Sequence, residues 1–288
     1  AAAGGYRADV PRENVGARRK GDAGMGQTAE QTVGQAAGRT GGQTAGRTVG
    51  RVHSFQSMGA VDGPGLRCVV FLQGCPLRCV YCHNPDTWEF GVGQSVTPQE
   101  MVEKILRFRP YLKRGGVTVT GGEPLSQPEF VRELFALLRE NGIHTALDTS
   151  GAGGRKRARA VLEVTDLVLA DVKFLTDEEY RRYCGADFSQ IREFLSLTRE
   201  MEKPLWIRQV IVPGLNDDPR RMKRLADLLR EYPNVERIEL LPFRRLCLEK
   251  YEALGIPFAL ADTPEMDGET LAVLAEELRA HTAAAVCC

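Results

Sequence analysis

From residue 51 onward the apolar positions follow two alternating rhythms. Six short apolar runs, at 67–73, 117–120, 143–148, 167–172, 205–212 and 235–241, read as buried strands. Between them apolar residues recur every three to four positions, as on a helix with one buried face. Helix starts are marked too. Thr97-Pro98-Gln99-Glu100 supplies an N-cap, a first-turn proline and a capping-box glutamate; Ser126 with Glu129, and Thr176 with Glu179, repeat the pattern. Asn141-Gly142 predicts the end of the second main helix. Alternating strands and helices predict an α/β fold with a parallel sheet, curled into a partial (β/α)6 barrel. A flat doubly wound sheet is the alternative.

Residues 1–50 break the rhythm. They hold twelve of the 30 glycines and almost no large apolar residues, and an eight-residue repeat runs through GQTAEQTV, GQAAGRTG and GQTAGRTV. No period gives an apolar face, so nothing offsets the entropy lost on ordering. The expectation is a disordered low-complexity tail over 1–50 before a single domain over 51–288. A partner-binding arm, or a genuine start at Met25 or later, are the alternatives.

Charge narrows the function classes. Lys+Arg and Asp+Glu both number 38, a formal net charge of +0, which carries no footprint of nucleic acid or of a membrane surface. No apolar run is long enough to span a bilayer, and no apolar secretory signal opens the chain. A cytoplasmic location is expected.

Of eight cysteines, Cys75, Cys79 and Cys82 cluster, while Cys68, Cys184, Cys247, Cys287 and Cys288 are scattered. The cluster follows the first predicted strand. Gly121-Gly122-Glu123-Pro124 follows the second, Asp148-Thr149-Ser150-Gly151 ends the third and Asp171-Val172-Lys173 the fourth. Pro213-Gly214 follows the fifth, and Pro242-Phe243-Arg244 ends the sixth. In a β/α barrel these strand ends share one rim, where sites form.

The thiol spacing leaves two chemistries open. Three thiolates can hold a [4Fe–4S] cluster with one iron lacking a protein ligand. With His83 they can instead make a Cys3His zinc site in a non-enzymatic interaction module. Gly121 and Gly122 allow a ligand close to the backbone, and Glu123 adds a charge. Asp148, Asp171 and Lys173 can bind a cation, a ribose or an amino-acid head group, or merely cap strands. Asp62 in Asp62-Gly63-Pro64-Gly65 brings another carboxylate to the rim. Arg208 interrupts an apolar strand and needs a partner, by projecting either into the barrel or to a solvent edge.

The stretch HSFQSMGAVDGPGLRCVVFLQGCPLRCVYCHNPDTW, from His53 to Trp88, resembles the radical S-adenosylmethionine superfamily, and within it the activating enzymes of glycyl-radical enzymes. The resemblance extends over about residues 51–245 and weakens after Phe243. It implies a partial barrel of six β/α units and a [4Fe–4S] cluster on Cys75, Cys79 and Cys82. It also implies S-adenosylmethionine on the fourth iron, held by Tyr81, Cys82, His83, Asn84, Gly121, Gly122, Glu123, Asp171, Val172, Lys173 and Arg244. A monovalent cation, Na+ or K+, is implied on Asp148, Thr149, Asp171 and the Leu169 carbonyl, and catalytic roles near the target glycine for Asp62, Lys173 and Arg208. The implied reaction is reductive cleavage of S-adenosylmethionine and hydrogen abstraction from a glycine Cα of a partner. That partner is expected to be pyruvate formate-lyase (formate C-acetyltransferase) or another glycyl-radical enzyme, with an external one-electron donor such as flavodoxin. No inserted cysteine-rich block separates Cys82 from Val117, which favours the pyruvate formate-lyase type. Arg244 stands where the family usually has His, and Cys247 where it usually has Gly.

Overall fold

The computed structural model describes residues 48–288, so the expected tail lies outside the described residues up to position 47. The nine strands among the described residues are β1 (Gly50–Gly59), β2 (Arg67–Leu72), β3 (Gln94–Val96), β4 (Gly116–Gly121), β5 (Thr145–Thr149), β6 (Leu167–Asp171), β7 (Leu205–Ile211), β8 (Val235–Pro242) and β9 (Ala285–Cys287). They form one sheet in the order β3-β1-β2-β4-β5-β6-β7-β8-β9. The six expected strands are β2 and β4 to β8, all parallel. This is the partial (β/α) barrel, its six-strand core extended at both edges. At one edge β1 pairs antiparallel with β2 and β3; at the other β9 adds in parallel to β8.

The helices are α1 (Pro98–Leu106), α2 (Pro128–Glu140), α3 (Arg155–Leu162), α4 (Asp177–Cys184), α5 (Phe188–Glu200), α6 (Pro219–Leu229), α7 (Leu248–Leu254) and α8 (Gly268–Arg279). Thr97 caps α1 through a complete capping box with Glu100, and Thr176 caps α4 by accepting from the Glu179 N–H. Ser126 does not cap α2. It sits in a short 3-10 turn, Pro124–Ser126, and Gln127 precedes the helix. The Gln127 side chain is used elsewhere: it accepts from the Arg51 N–H at 2.7 Å and donates to the Arg51 and Gln73 carbonyls, both at 2.9 Å. Asn141 and Gly142 (φ +68°) end α2 as expected. No described helix is long and apolar enough to cross a membrane.

Strand alternation sorts the side chains into two compartments. Val168, Ala170 and Val172 face the helices with most of the apolar core, whereas Leu167 and Leu169 meet Ala146 and Trp206 in a small cluster inside the barrel. Arg237 covers the Trp206 ring at 4.2 Å, above which the interior turns polar.

Candidate active site

The cysteine loop leaves β2 and is fastened on two sides. Toward β4, the Glu123 N–H donates to the Gly74 carbonyl and the Gly122 N–H to that of Leu72, both at 2.8 Å. A Cβ on Gly122 would lie 2.3 Å from the Gly74 oxygen, so only glycine allows this approach. Toward α4, the Arg78 N–H donates to the Cys184 carbonyl at 2.8 Å and the Val80 N–H to that of Tyr183 at 2.9 Å. Arg78 Nη1 braces the turn through the Cys75 and Leu77 carbonyls.

Thus held, Cys75, Cys79 and Cys82 line a cavity of about 310 Å³ at the C-terminal ends of the parallel strands. Asp62, Tyr81, His83, Asn84, Gly121, Gly122, Asp148, Thr149, Asp171, Lys173 and Arg208 line it too. A larger cleft, about 540 Å³, lies between Pro76, Phe90 and the starts of α3 and α5, but contains none of the three thiols. The smaller cavity is therefore the candidate site.

Burial pushes the Cys75 thiol up to about 12, with Glu123 adding to it, and the Cys82 thiol up to about 11. Cys79 is shifted down, chiefly by a hydrogen bond from Cys184. These thiols release protons when they ligate metal.

The side-chain arrangement tests which metal group fits. Among the described residues no three His, Cys, Asp or Glu side chains converge closely enough to share one metal ion. His83 Nε2 is 2.8 Å from the Arg244 carbonyl oxygen, away from the thiols. A Cys3His zinc site is therefore not assembled. A [4Fe–4S] cluster places each thiolate on a separate iron, so its ligands stand further apart, and three cysteines round one cavity suit it. A glycine-floored cradle beside them, and the buried Tyr81 hydroxyl with no hydrogen-bond partner, suit a bulky polar cofactor.

Below the thiols lies a charged layer. Asp171 and Glu239 stand level with Arg208 on the neighbouring strands. Arg208 Nε lies 2.9 Å from Glu239, Nη1 lies 3.3 Å from Asp148, and Nη2 donates to the Val61 carbonyl at 2.5 Å. Arg208 thus projects into the barrel. Burial pushes Asp148 up to about 6, against the pull of Arg208, and Asp171 adds repulsion. Burial likewise raises Asp62 despite Arg208 and Arg67. Lys173 Nζ pairs with Asp171 at 2.7 Å and lies 5.9 Å from the Tyr81 ring centre. Burial opposes its charge, but Asp171 and Cys79 hold it protonated.

Glu123 stands beside the cavity and not in its lining. Its fully buried carboxylate accepts from the Leu125 N–H, the Thr149 hydroxyl, and the Ser150 N–H and hydroxyl, at 2.5–2.9 Å. It ties the β4 turn to the end of β5. Val172 is fully buried among the helix-facing core and the Leu169 side chain is fully buried in the small cluster inside the barrel, so neither lines the cavity. Arg244 is also outside the lining: its Nη1 donates to the Met266 carbonyl at 2.7 Å and lies 3.6 Å from Glu265. The segment before α8 holds the guanidinium here, and the expected contact with the cofactor is not among the contacts of this side chain. Glu239 and the buried Arg67 escaped the sequence reading. Glu239 had one usable signal, a lone acid in a strand otherwise apolar from Ile238 to Leu241.

Comparison with known proteins agrees with this geometry. The Radical SAM superfamily pattern matches residues 69–229. A pyruvate formate-lyase-activating enzyme from Clostridium pasteurianum is 47% identical over 221 residues, 76% of this chain and 92% of that protein. The crystal structure of a domain of a pyruvate-formate lyase-activating enzyme from Bacteroides vulgatus ATCC 8482 matches with TM-score 0.51 and 25% identity, over 60% of this chain and 98% of that one. A radical SAM methyltransferase from Sphaerobacter thermophilus shares the fold, with TM-score 0.56 and 19% identity over 77% of this chain and 65% of that one. The chain belongs to the radical S-adenosylmethionine superfamily, which works with a [4Fe–4S] cluster and S-adenosylmethionine.

Proposed function

We propose that this protein activates the glycyl-radical enzyme pyruvate formate-lyase. It does so by reductive cleavage of S-adenosylmethionine and removal of a hydrogen from a glycine Cα of that partner. One observation carries the reading: three thiols, a glycine cradle and a buried charged layer meet in one cavity of a chain 47% identical to such an activase.

When bound, the cluster and S-adenosylmethionine supply the electron and the hydrogen-abstracting fragment. The chain's own residues bind and orient. Cys75, Cys79 and Cys82 would hold the cluster by three of its irons. Tyr81, His83, Asn84, Gly121 and Gly122 shape the cofactor pocket, and Glu123 keeps Thr149 and Ser150 in place beside it. Lys173 keeps its proton and, with Asp171, fixes charge next to Cys79. Asp148, Thr149 and Asp171, with the Leu169 carbonyl, form a site for Na+ or K+. Asp62 and Arg208 position the partner's glycine loop. The electron comes from an external donor of the flavodoxin kind, and the protein works in the cytoplasm.

Anaerobic incubation with pyruvate formate-lyase, S-adenosylmethionine and a reductant should give a glycyl-radical signal by electron paramagnetic resonance, with 5′-deoxyadenosine in equal amount. Cofactor cleavage without a glycyl radical, and its appearance with a different glycyl-radical protein, would reject the named partner.

A further inference from the structure

The segment that follows Cys82 is held by α7. Lys250, on that helix, places Nζ 2.9 Å from the Asn84 side-chain oxygen and 3.0 Å from the Asp86 carboxylate. Asn84 caps a short 3-10 turn, Pro85–Thr87, and the Thr87 hydroxyl donates to the Asn84 carbonyl at 2.7 Å. Asp86 is fixed from the other side by His53 Nε2 at 3.3 Å. The Trp88 and Tyr251 rings meet edge to face, 5.9 Å apart, and seat α7 against the turn. A lysine side chain carries donors and no acceptor, so the Asn84 atom facing it is the amide oxygen and the amide nitrogen points the other way. Asn84 lines the thiol cavity, and its side-chain nitrogen has no hydrogen-bond partner among the described residues.

We propose that Lys250 is a positioning residue for S-adenosylmethionine: by holding the Asn84 oxygen it sets the amide N–H2 toward the cavity, as a hydrogen-bond donor to the bound cofactor. The inference rests on the assignment of this cavity to S-adenosylmethionine. The carboxylate, ribose and adenine of that molecule are rich in acceptors. An asparagine amide that nothing holds can turn over and offer them its oxygen, which loses the bond and sets acceptor against acceptor. Lys250, reaching across from α7, removes that second orientation before the cofactor arrives. No covalent bond is made or broken.

The test is calorimetric titration of S-adenosylmethionine into the anaerobically reconstituted full chain, its cluster kept oxidised so that the cofactor stays whole, with iron counted in each sample. Asn84→Asp keeps an acceptor for Lys250 but lacks the N–H2, and its affinity should fall about tenfold, the loss of one hydrogen bond. Lys250→Met, similar in length and without a donor, should lose about fivefold, and Lys250→Arg should stay within about twofold of the parent. Lys250→Met/Asn84→Ala should bind no more weakly than Asn84→Ala alone, because both changes act through one amide. A lysine that merely staples α7 would give losses that add. All variants should keep the parent's iron content. Unchanged affinity in Asn84→Asp or in Lys250→Met, or additive losses in the double variant, would overturn the proposal. Loss of iron in Asn84→Asp or Lys250→Met would also overturn it, by making the pair a support of the cysteine loop. A parent protein that holds a four-iron cluster and binds no S-adenosylmethionine would instead remove the cofactor assignment beneath it, and the proposal with it.

Discussion

Arg208 is where removing one side chain should do most damage. Its guanidinium is 8% exposed and serves two carboxylates that are 14% and 15% exposed, Asp148 and Glu239. Arg208→Gln keeps much of the volume but leaves both carboxylates without their shared cation. Removing one partner of a buried ion pair costs about 3–5 kcal/mol, most of it from the charge left behind. At ~2–4 °C per kcal/mol for a domain of this size, the melting temperature should fall by about 10 °C. The loss should depend on pH. Asp148 titrates at about 6 when folded, above its ordinary value of 3.8. Its ionised form is therefore a cost, fully present above pH 6 and relieved as the pH falls through 6. Without Arg208 that cost grows, so the variant's deficit should be largest at pH 8 and shrink by pH 5. Urea unfolding of the cluster-free protein at both pH values measures this, and Arg208→Gln/Glu239→Gln should recover part of the loss. A deficit under ~1 kcal/mol at pH 8, or one equal at both pH values, would refute the reasoning.

Three further outcomes are expected. Reconstituted protein should carry about four irons per chain; Ser at Cys75, Cys79 or Cys82 should abolish the cluster, and Ser at Cys68 or Cys247 should not, as iron and sulfide analysis will show. Potassium or sodium chloride, against tetramethylammonium chloride at equal ionic strength, should raise the melting temperature at pH 8 and have little effect at pH 5. Asp148 must be ionised to bind a cation and gains its proton below about 6; equal responses at both pH values would count against the cation site. Arg244→Ala should leave S-adenosylmethionine affinity within about threefold, because the side chain is spent on Met266 and Glu265, and calorimetric titration would detect the tenfold loss that a direct charge-assisted contact implies.

Much of the fold was readable because its signals are local. A parallel strand buried on both faces shows as a short apolar run, and Thr97 and Thr176 announce helices through bonds spanning three residues. The edge strands were not readable. β1 faces the sheet with mixed residues in the order GRVHSFQSMG, and β3 and β9 are three residues long. Ser126 misled because Gln127 spends its side chain on backbone carbonyls 54 and 76 positions away, a contact no local pattern contains.

The same division runs through the site. The sequence by itself determined the ligand chemistry: three thiols within eight residues, a glycine pair after β4, and acids at the ends of β5 and β6. These are short-range facts of spacing and residue type. Only the tertiary structure decided that Arg208 meets Glu239 and Asp148, that Glu123 braces Ser150, that the Cys184 carbonyl anchors the cysteine loop at Arg78, and that Arg244 turns to Met266. Each of these depends on strand register or helix docking between distant segments. A single-residue shift in register would turn every side chain of a strand to its other face.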